Sequence, residues 1–151
     1  MTSAETKTVL VDRPMVKAHI TMGFVFFLIS VFAGMLYGLQ LTRMYPFPGI
    51  EWLSPGRVRM LHTNAVAFGF LINCFIAVLY WTVPRLTGFP LLSSGLTRVI
   101  FVAWQLIVLA TAVGLLNGHA QAIEWGETPV WVDHFAVIGV ALLVVNVATP
   151  M

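Results

Sequence analysis

Charge is what this chain has least of. Lys and Arg number 8 and Asp and Glu 6 among 151 residues, so 9% are charged. Soluble domains carry about 25%. With 59% hydrophobic residues and a mean hydropathy of +0.91, the shortage excludes a soluble globular class and points to a membrane protein. Cysteine is nearly missing too. The one thiol, Cys74, excludes an internal disulfide and a thiolate metal site, and reads as a small apolar packing residue. The net charge of +2 is too small to suggest a nucleic-acid partner. It fits basic anchors at helix ends. No cleavable signal is visible: the first 18 residues are polar, and the apolar run after them is too long for a signal h-region.

What is present is four long apolar runs. The stretch around which the rest is organised is 54–88, SPGRVRMLHTNAVAFGFLINCFIAVLYWTVPRLTG, which has no formal charge from Met60 to Val83. As a helix, that uncharged run would rise roughly 36 Å, enough to cross a bilayer. The expected fold is all-α, a polytopic bundle of four transmembrane helices at about 20–41, 60–83, 99–117 and 130–149. Residues 1–15 are expected to be a cytoplasmic tail and 16–151 the membrane domain. Pro84 is expected to stop helix two. Ser30, Gly34 and Gly38 recur every four residues on helix one, as do Ala110, Gly114 and Gly118 on helix three. Such stripes let helices approach closely in lipid. The final run has no flanking charge or polar cap, so it reads as a cut chain.

Basic residues set the expected orientation. The tail and second loop hold Lys7, Arg13, Lys17, Arg85 and Arg98. The first and third loops hold Arg43, Arg57 and Arg59. Five against three puts the N-terminus in the cytoplasm. His62, Arg57, Arg59, His119 and His134 then lie near the outer face.

Candidate chemistry centres on His62, at the mouth of helix two. A neutral imidazole there suits haem iron, although an interfacial histidine explains the position equally. Arg57 and Arg59, five and three residues ahead, suit the propionates of a haem, or simply anchor the helix. Below His62, the small residues Ala65 and Gly69 leave room either for a flat bulky group or for another helix. Asn64 and Asn73 are expected to face protein rather than lipid. His19 reads as an interfacial histidine. His119 and His134 could share a surface metal with His62, but their spacing is no known signature. Glu124 and Glu127 read as a solvated loop face, with a secondary role near propionates as the other reading.

At this point the residues carry a resemblance. GRVRMLHTNAVAFGF followed by YWTVPRLTG resembles helix two of the catalytic subunit I of haem–copper oxidases of the C family (cbb-type). GHAQAIEWGETPVWVD resembles that family's loop between helices three and four. The likeness runs from about Ala18 onward, and nitric oxide reductases share part of the helix-two motif. The resemblance implies the N-terminal third of a twelve-helix fold in a bacterial inner membrane. It implies His62 as an axial ligand of low-spin haem b, and Arg57 and Arg59 as residues near its propionates. Glu124 would match an acidic position of the outer loop. The second axial ligand would come from outside this chain. Copper and the second haem would belong only to the complete complex, because their histidines lie on later helices. His19, His119 and His134 match none of them. The implied partners are the rest of subunit I and cytochrome c-type subunits. The implied role is to pass electrons from cytochrome c toward a site that reduces oxygen to water. The alternatives are a nitric oxide reductase-like subunit, a small stand-alone b-type cytochrome, or a haem-free packing protein.

Overall fold

The structure is a computed structural model that describes residues 10–123 and 126–149. Among them are four helices long and apolar enough to cross a membrane and no strand. They are α1 (Arg13–Leu41), α2 (Pro55–Thr87), α3 (Ser94–Leu116) and α4 (Val130–Ala148). Their outward faces carry large apolar side chains such as Leu28, Phe32, Phe75, Leu106 and Val137, all more than half exposed. That is the surface lipid requires.

Local chemistry sets the helix starts earlier than the apolar runs alone suggested. α1 begins at Arg13, because the Asp12 carboxylate accepts from the Met15 amide at 3.3 Å and Pro14 fits the first turn. The expected tail therefore gives way to helix before residue 15. α2 begins at Pro55 behind Ser54, so Arg57 and Arg59 stand in its first turns rather than in a loop. α3 begins at Ser94, where the Ser93 hydroxyl accepts from the Leu96 amide at 3.3 Å. α2 also continues through Pro84 to Thr87, and ends only where Gly88 turns left-handed at φ +79. Pro84 falls in the last turn, where the carbonyl it leaves unpaired is cheap to lose.

α2 is not uniform. Its middle, Ala65–Leu71, is a π segment between two α-helical halves. Each π turn holds an extra residue, which rotates the halves by roughly 100° relative to a straight α-helix. Side chains take up carbonyls of the loosened ladder: Trp104 Nε1 donates to Phe68 O at 3.0 Å, and Asn73 Nδ2 to Gly69 O at 2.6 Å. The apolar core joins Phe26, Ile76, Tyr80, Trp104, Ile107, Val108 and Val132 across all four helices.

The room that Gly69 appeared to offer a flat group is taken by α1. A Cβ on Gly69 would lie 2.7 Å from Phe26 Cβ and Cγ. Gly69→Ala is therefore expected to push α1 from α2 and destabilise the purified protein by about 1–3 kcal/mol. Gly38, with nothing within 4 Å of its Cβ position, is the control. Gly38→Ala is expected to leave stability within about 0.5 kcal/mol. Denaturant titration in detergent, followed by circular dichroism, measures both.

Candidate functional site

One end of the bundle gathers the charged and imidazole groups. It is built from the C-terminal half of α1, the first turns of α2, the end of α3 and residues 117–123 and 126–129. His62 lies against α1. Its Nδ1 is 2.8 Å from the Ser30 carbonyl oxygen and 3.0 Å from Ser30 Oγ, and that hydroxyl donates to the His62 carbonyl at 3.0 Å. A carbonyl oxygen only accepts, so Nδ1 carries the proton. Nε2 then keeps its lone pair, the form in which imidazole binds a metal. Among the described residues Nε2 has no hydrogen-bond partner.

Gly34 makes this seat possible. A Cβ there would lie 2.8 Å from His62 Cε1 and Nδ1. The four-residue stripe on α1 is therefore a socket for a side chain as much as for a helix. Gly38, the third member, touches nothing within 4 Å.

The two arginines are both engaged with protein. Arg57 Nη1 donates to Leu116 O at 2.9 Å, capping the end of α3, and Nη2 meets Glu51 Oε1 at 2.6 Å. Arg59 Nη2 meets Glu127 Oε1 at 2.5 Å. Glu127 is the residue that sequence reading misplaced. It is not a solvated loop face but 4% exposed. Its other oxygen accepts from Asn64 Nδ2 at 3.1 Å and faces the Thr63 hydroxyl at 3.5 Å. The loop that carries it is tied down locally. Gln121 N donates to Glu127 O at 3.1 Å, while the Gln121 side chain reaches Thr128 O and Asp133 Oδ2, both at 2.6 Å. Asn64 was expected to face protein and does. No spacing rule pairs it with a glutamate 63 residues on. Glu124 lies outside the described residues.

The remaining histidines do not join the site. His119 and His134 are exposed, and His134 Nδ1 bonds its own helix at Val130 O, 2.9 Å away. No group of three or more His, Cys, Asp or Glu able to hold a metal ion exists among the described residues. His19 is not interfacial. It is fully buried, with Nδ1 2.8 Å from Asn73 Oδ1.

The site thus offers one imidazole nitrogen with a free lone pair, on a ring held by a neighbouring helix, with two arginines and a buried carboxylate at the same end. The space between α1, α2 and α3 next to it, lined by Phe26, Asn64, Ala65 and Thr111 among others, measures about 70 Å³. Pockets that enclose drug-sized ligands run to about 300–1,000 Å³. A group as large as haem fits the donor set, but most of its walls would have to come from outside this chain.

Comparison with known proteins identifies the family. The family model for cytochrome c and quinol oxidase polypeptide I matches residues 14–151. The cbb3-type cytochrome c oxidase subunit CcoN1 of Stutzerimonas stutzeri is 32% identical over 133 residues, covering 81% of this chain and 28% of the relative. Cytochrome c oxidase subunit 1 of Rhodobacter capsulatus is 34% identical over 124 residues, 77% of this chain and 23% of the relative. A bacteroid subunit 1 homolog of Bradyrhizobium diazoefficiens is 30% identical over 122 residues, 78% and 22%. The chain therefore spans about a quarter of the length of the curated relatives it matches.

The Arg59–Glu127 pair yields a stability test. Arg59→Leu is expected to cost about 2 kcal/mol by leaving Glu127 buried without its cation. That is less than for a fully buried pair, because Arg59 is 39% exposed. Adding Glu127→Gln is expected to restore part of the loss. A double-mutant cycle of unfolding in detergent measures the coupling.

Proposed function

This multi-pass membrane chain belongs to the cytochrome c and quinol oxidase polypeptide I family, and from that premise we propose that it carries one axial ligand of a low-spin haem b. The single observation that supports this most is the fixed tautomer of His62. Its Nδ1 proton is held by the Ser30 carbonyl, and Nε2 is left to bind iron. Bound there, haem b supplies reversible one-electron chemistry.

The chain's own residues prepare the ligand. The Ser30 carbonyl holds the Nδ1 proton and fixes the ring's rotation. Gly34 lets the ring pack flat against α1. Arg57 and Arg59 place positive charge at the end of the bundle where propionates would emerge. A guanidinium has five N–H donors. Arg57 spends two on Leu116 and Glu51 and Arg59 one on Glu127, so both keep donors for a carboxylate.

The second axial ligand, the copper and the second haem belong in this reading to the rest of subunit I, with which the chain acts. Its place is then between a cytochrome c-type donor subunit and a haem–copper site that reduces oxygen to water. The relatives are named as cytochrome c oxidase subunits, which supports oxygen over nitric oxide as the substrate. The membrane is a bacterial inner membrane, and the excess of Lys7, Arg13, Lys17, Arg85 and Arg98 over Arg43, Arg57 and Arg59 favours a cytoplasmic N-terminus.

His62→Ala is expected to remove the low-spin b-haem absorbance from the membrane assembly that contains this chain. Reduced-minus-oxidised spectra of purified assembly, normalised to protein, measure it, and an unchanged b band would sink the ligand assignment. Arg59→Leu is expected to lower the b-haem potential by on the order of tens of millivolts, because losing a nearby positive charge disfavours the added electron. Redox titration of the b band decides the sign, and a rise would exclude the role given to Arg59.

A further inference from the structure

The other end of the bundle holds a second polar cluster that the haem reading does not use. His19, the seventh residue of α1, lies about 9 Å along the helix from its start. Tyr80 stands a comparable distance from the end of α2 at Thr87. Both are 0% exposed. The His19 ring meets Tyr80 edge-on at 5.6 Å between centroids and Phe101 at 4.9 Å.

Two amides fix the imidazole. Gln105 Nε2 donates to Asn73 Oδ1 at 2.9 Å, and Asn73 Nδ2 donates to Gly69 O at 2.6 Å. Asn73 Oδ1 is therefore an acceptor, and His19 Nδ1, 2.8 Å away, carries the proton. His19 Nε2 is then a lone-pair acceptor, and among the described residues it has no partner. Among the same residues the Tyr80 hydroxyl has none within 3.5 Å, Asn146 being a nearby amide that does not close to that distance. So two adjoining side chains, each wholly buried in a membrane-spanning bundle, present complementary unsatisfied groups. One is an acceptor and the other a donor-acceptor. The groups described around His19 are Asn73 and Tyr80 of α2 and Phe101 of α3, with Gln105 behind Asn73. None of them is charged.

In lipid, no solvent compensates an unmade hydrogen bond, and buried polar groups that lack a protein partner are commonly met by ordered water. We propose that His19 Nε2 and the Tyr80 hydroxyl bind a water molecule inside the bundle, at the end opposite His62. The water donates to Nε2 and accepts from or donates to the tyrosine. A ligand here must donate to Nε2, meet the tyrosine hydroxyl and be small, which selects water; the Asp12 carboxylate, whose charge reaches Tyr80, disfavours an anion. The site goes beyond the haem reading and does not depend on it.

The test is water-edited solid-state ¹⁵N NMR on liposomes of the membrane assembly, with histidine labelled. The His19 signal is identified by its loss in His19→Gln. The expected result is transfer of water magnetisation to His19 Nε2 in the unmutated protein, weakened roughly tenfold or more in Tyr80→Phe. The proposal is overturned if His19 receives water magnetisation no faster than the lipid-facing side chains of α1. It is overturned equally if Tyr80→Phe leaves the transfer unchanged. Loss of the b haem in His62→Ala is read optically, so failure of the haem assignment and failure of the water site are separate results.

Discussion

Inside a bilayer a polar group must find its partner within the protein, and that constraint organises this bundle. Its interior is where the polar side chains are. His19, Ser30, Asn64, Asn73, Thr97, Thr111 and Asn146 are all buried to 5% exposure or less, while its lipid face is Leu, Phe and Val. Each buried group then selects a neighbour. Ser30 brings α2 to α1 through His62. Gln105 brings α3 to α2 through Asn73. Asn146 ties α4 to the start of α3, donating to Thr97 Oγ1 at 3.1 Å and accepting from Ser93 N at 3.2 Å. Apolar contacts alone would not choose these registers in lipid, because a leucine gains little by exchanging a lipid tail for another leucine.

The π segment follows from the same constraint. Loosening the ladder of α2 at Ala65–Leu71 frees backbone acceptors, which is tolerable only because Trp104 and Asn73 donate to Phe68 O and Gly69 O. Both halves of α2 still pack on α1, and the second half adds a polar contact to α3. Before the π segment, His62 faces α1. After it, Asn73 stands between His19 on α1 and Gln105 on α3. A straight helix would put residues 62 and 73, eleven apart, on nearly one face. The π segment turns Asn73 from that face, so that it reaches Gln105 on α3 as well as His19 on α1.

The sequence made the helices legible because each apolar run is long and uncharged, and His62 legible because a basic pair precedes it. Their boundaries were less so. Asp12 and Ser93 extend α1 and α3 beyond the apolar runs, and a cap residue looks like any other polar residue until its amide partner is known. Gly34 was visible as part of a stripe, but its occupant, a histidine ring, came from another helix. Glu127 was misread because a glutamate in a Gly- and Pro-containing loop is normally solvated. Only folding brings Arg59 and Asn64 to it from 68 and 63 residues away. His19 was misread for the converse reason. Its place near the start of α1 suggested the interface, yet Tyr80 and Phe101 close over it.

In the proposed reading the chain presents half of a ligand site, and its groups are held in place by the chain's own contacts. His62 needs no iron to hold its orientation, since the Ser30 carbonyl and the Gly34 surface already fix it. Arg59 needs no propionate, since Glu127 balances it. The ordering cost of ligand and cation is therefore met within the chain. A haem bound as proposed would meet groups already oriented, and its propionates would meet an end of the bundle where cation and carboxylate are paired. Release of either arginine toward a propionate would have to compete with Glu51, Leu116 O or Glu127. That competition favours a bound haem that shares these donors over one that displaces them, because a buried Glu127 stripped of Arg59 costs more than a guanidinium divided between two carboxylates.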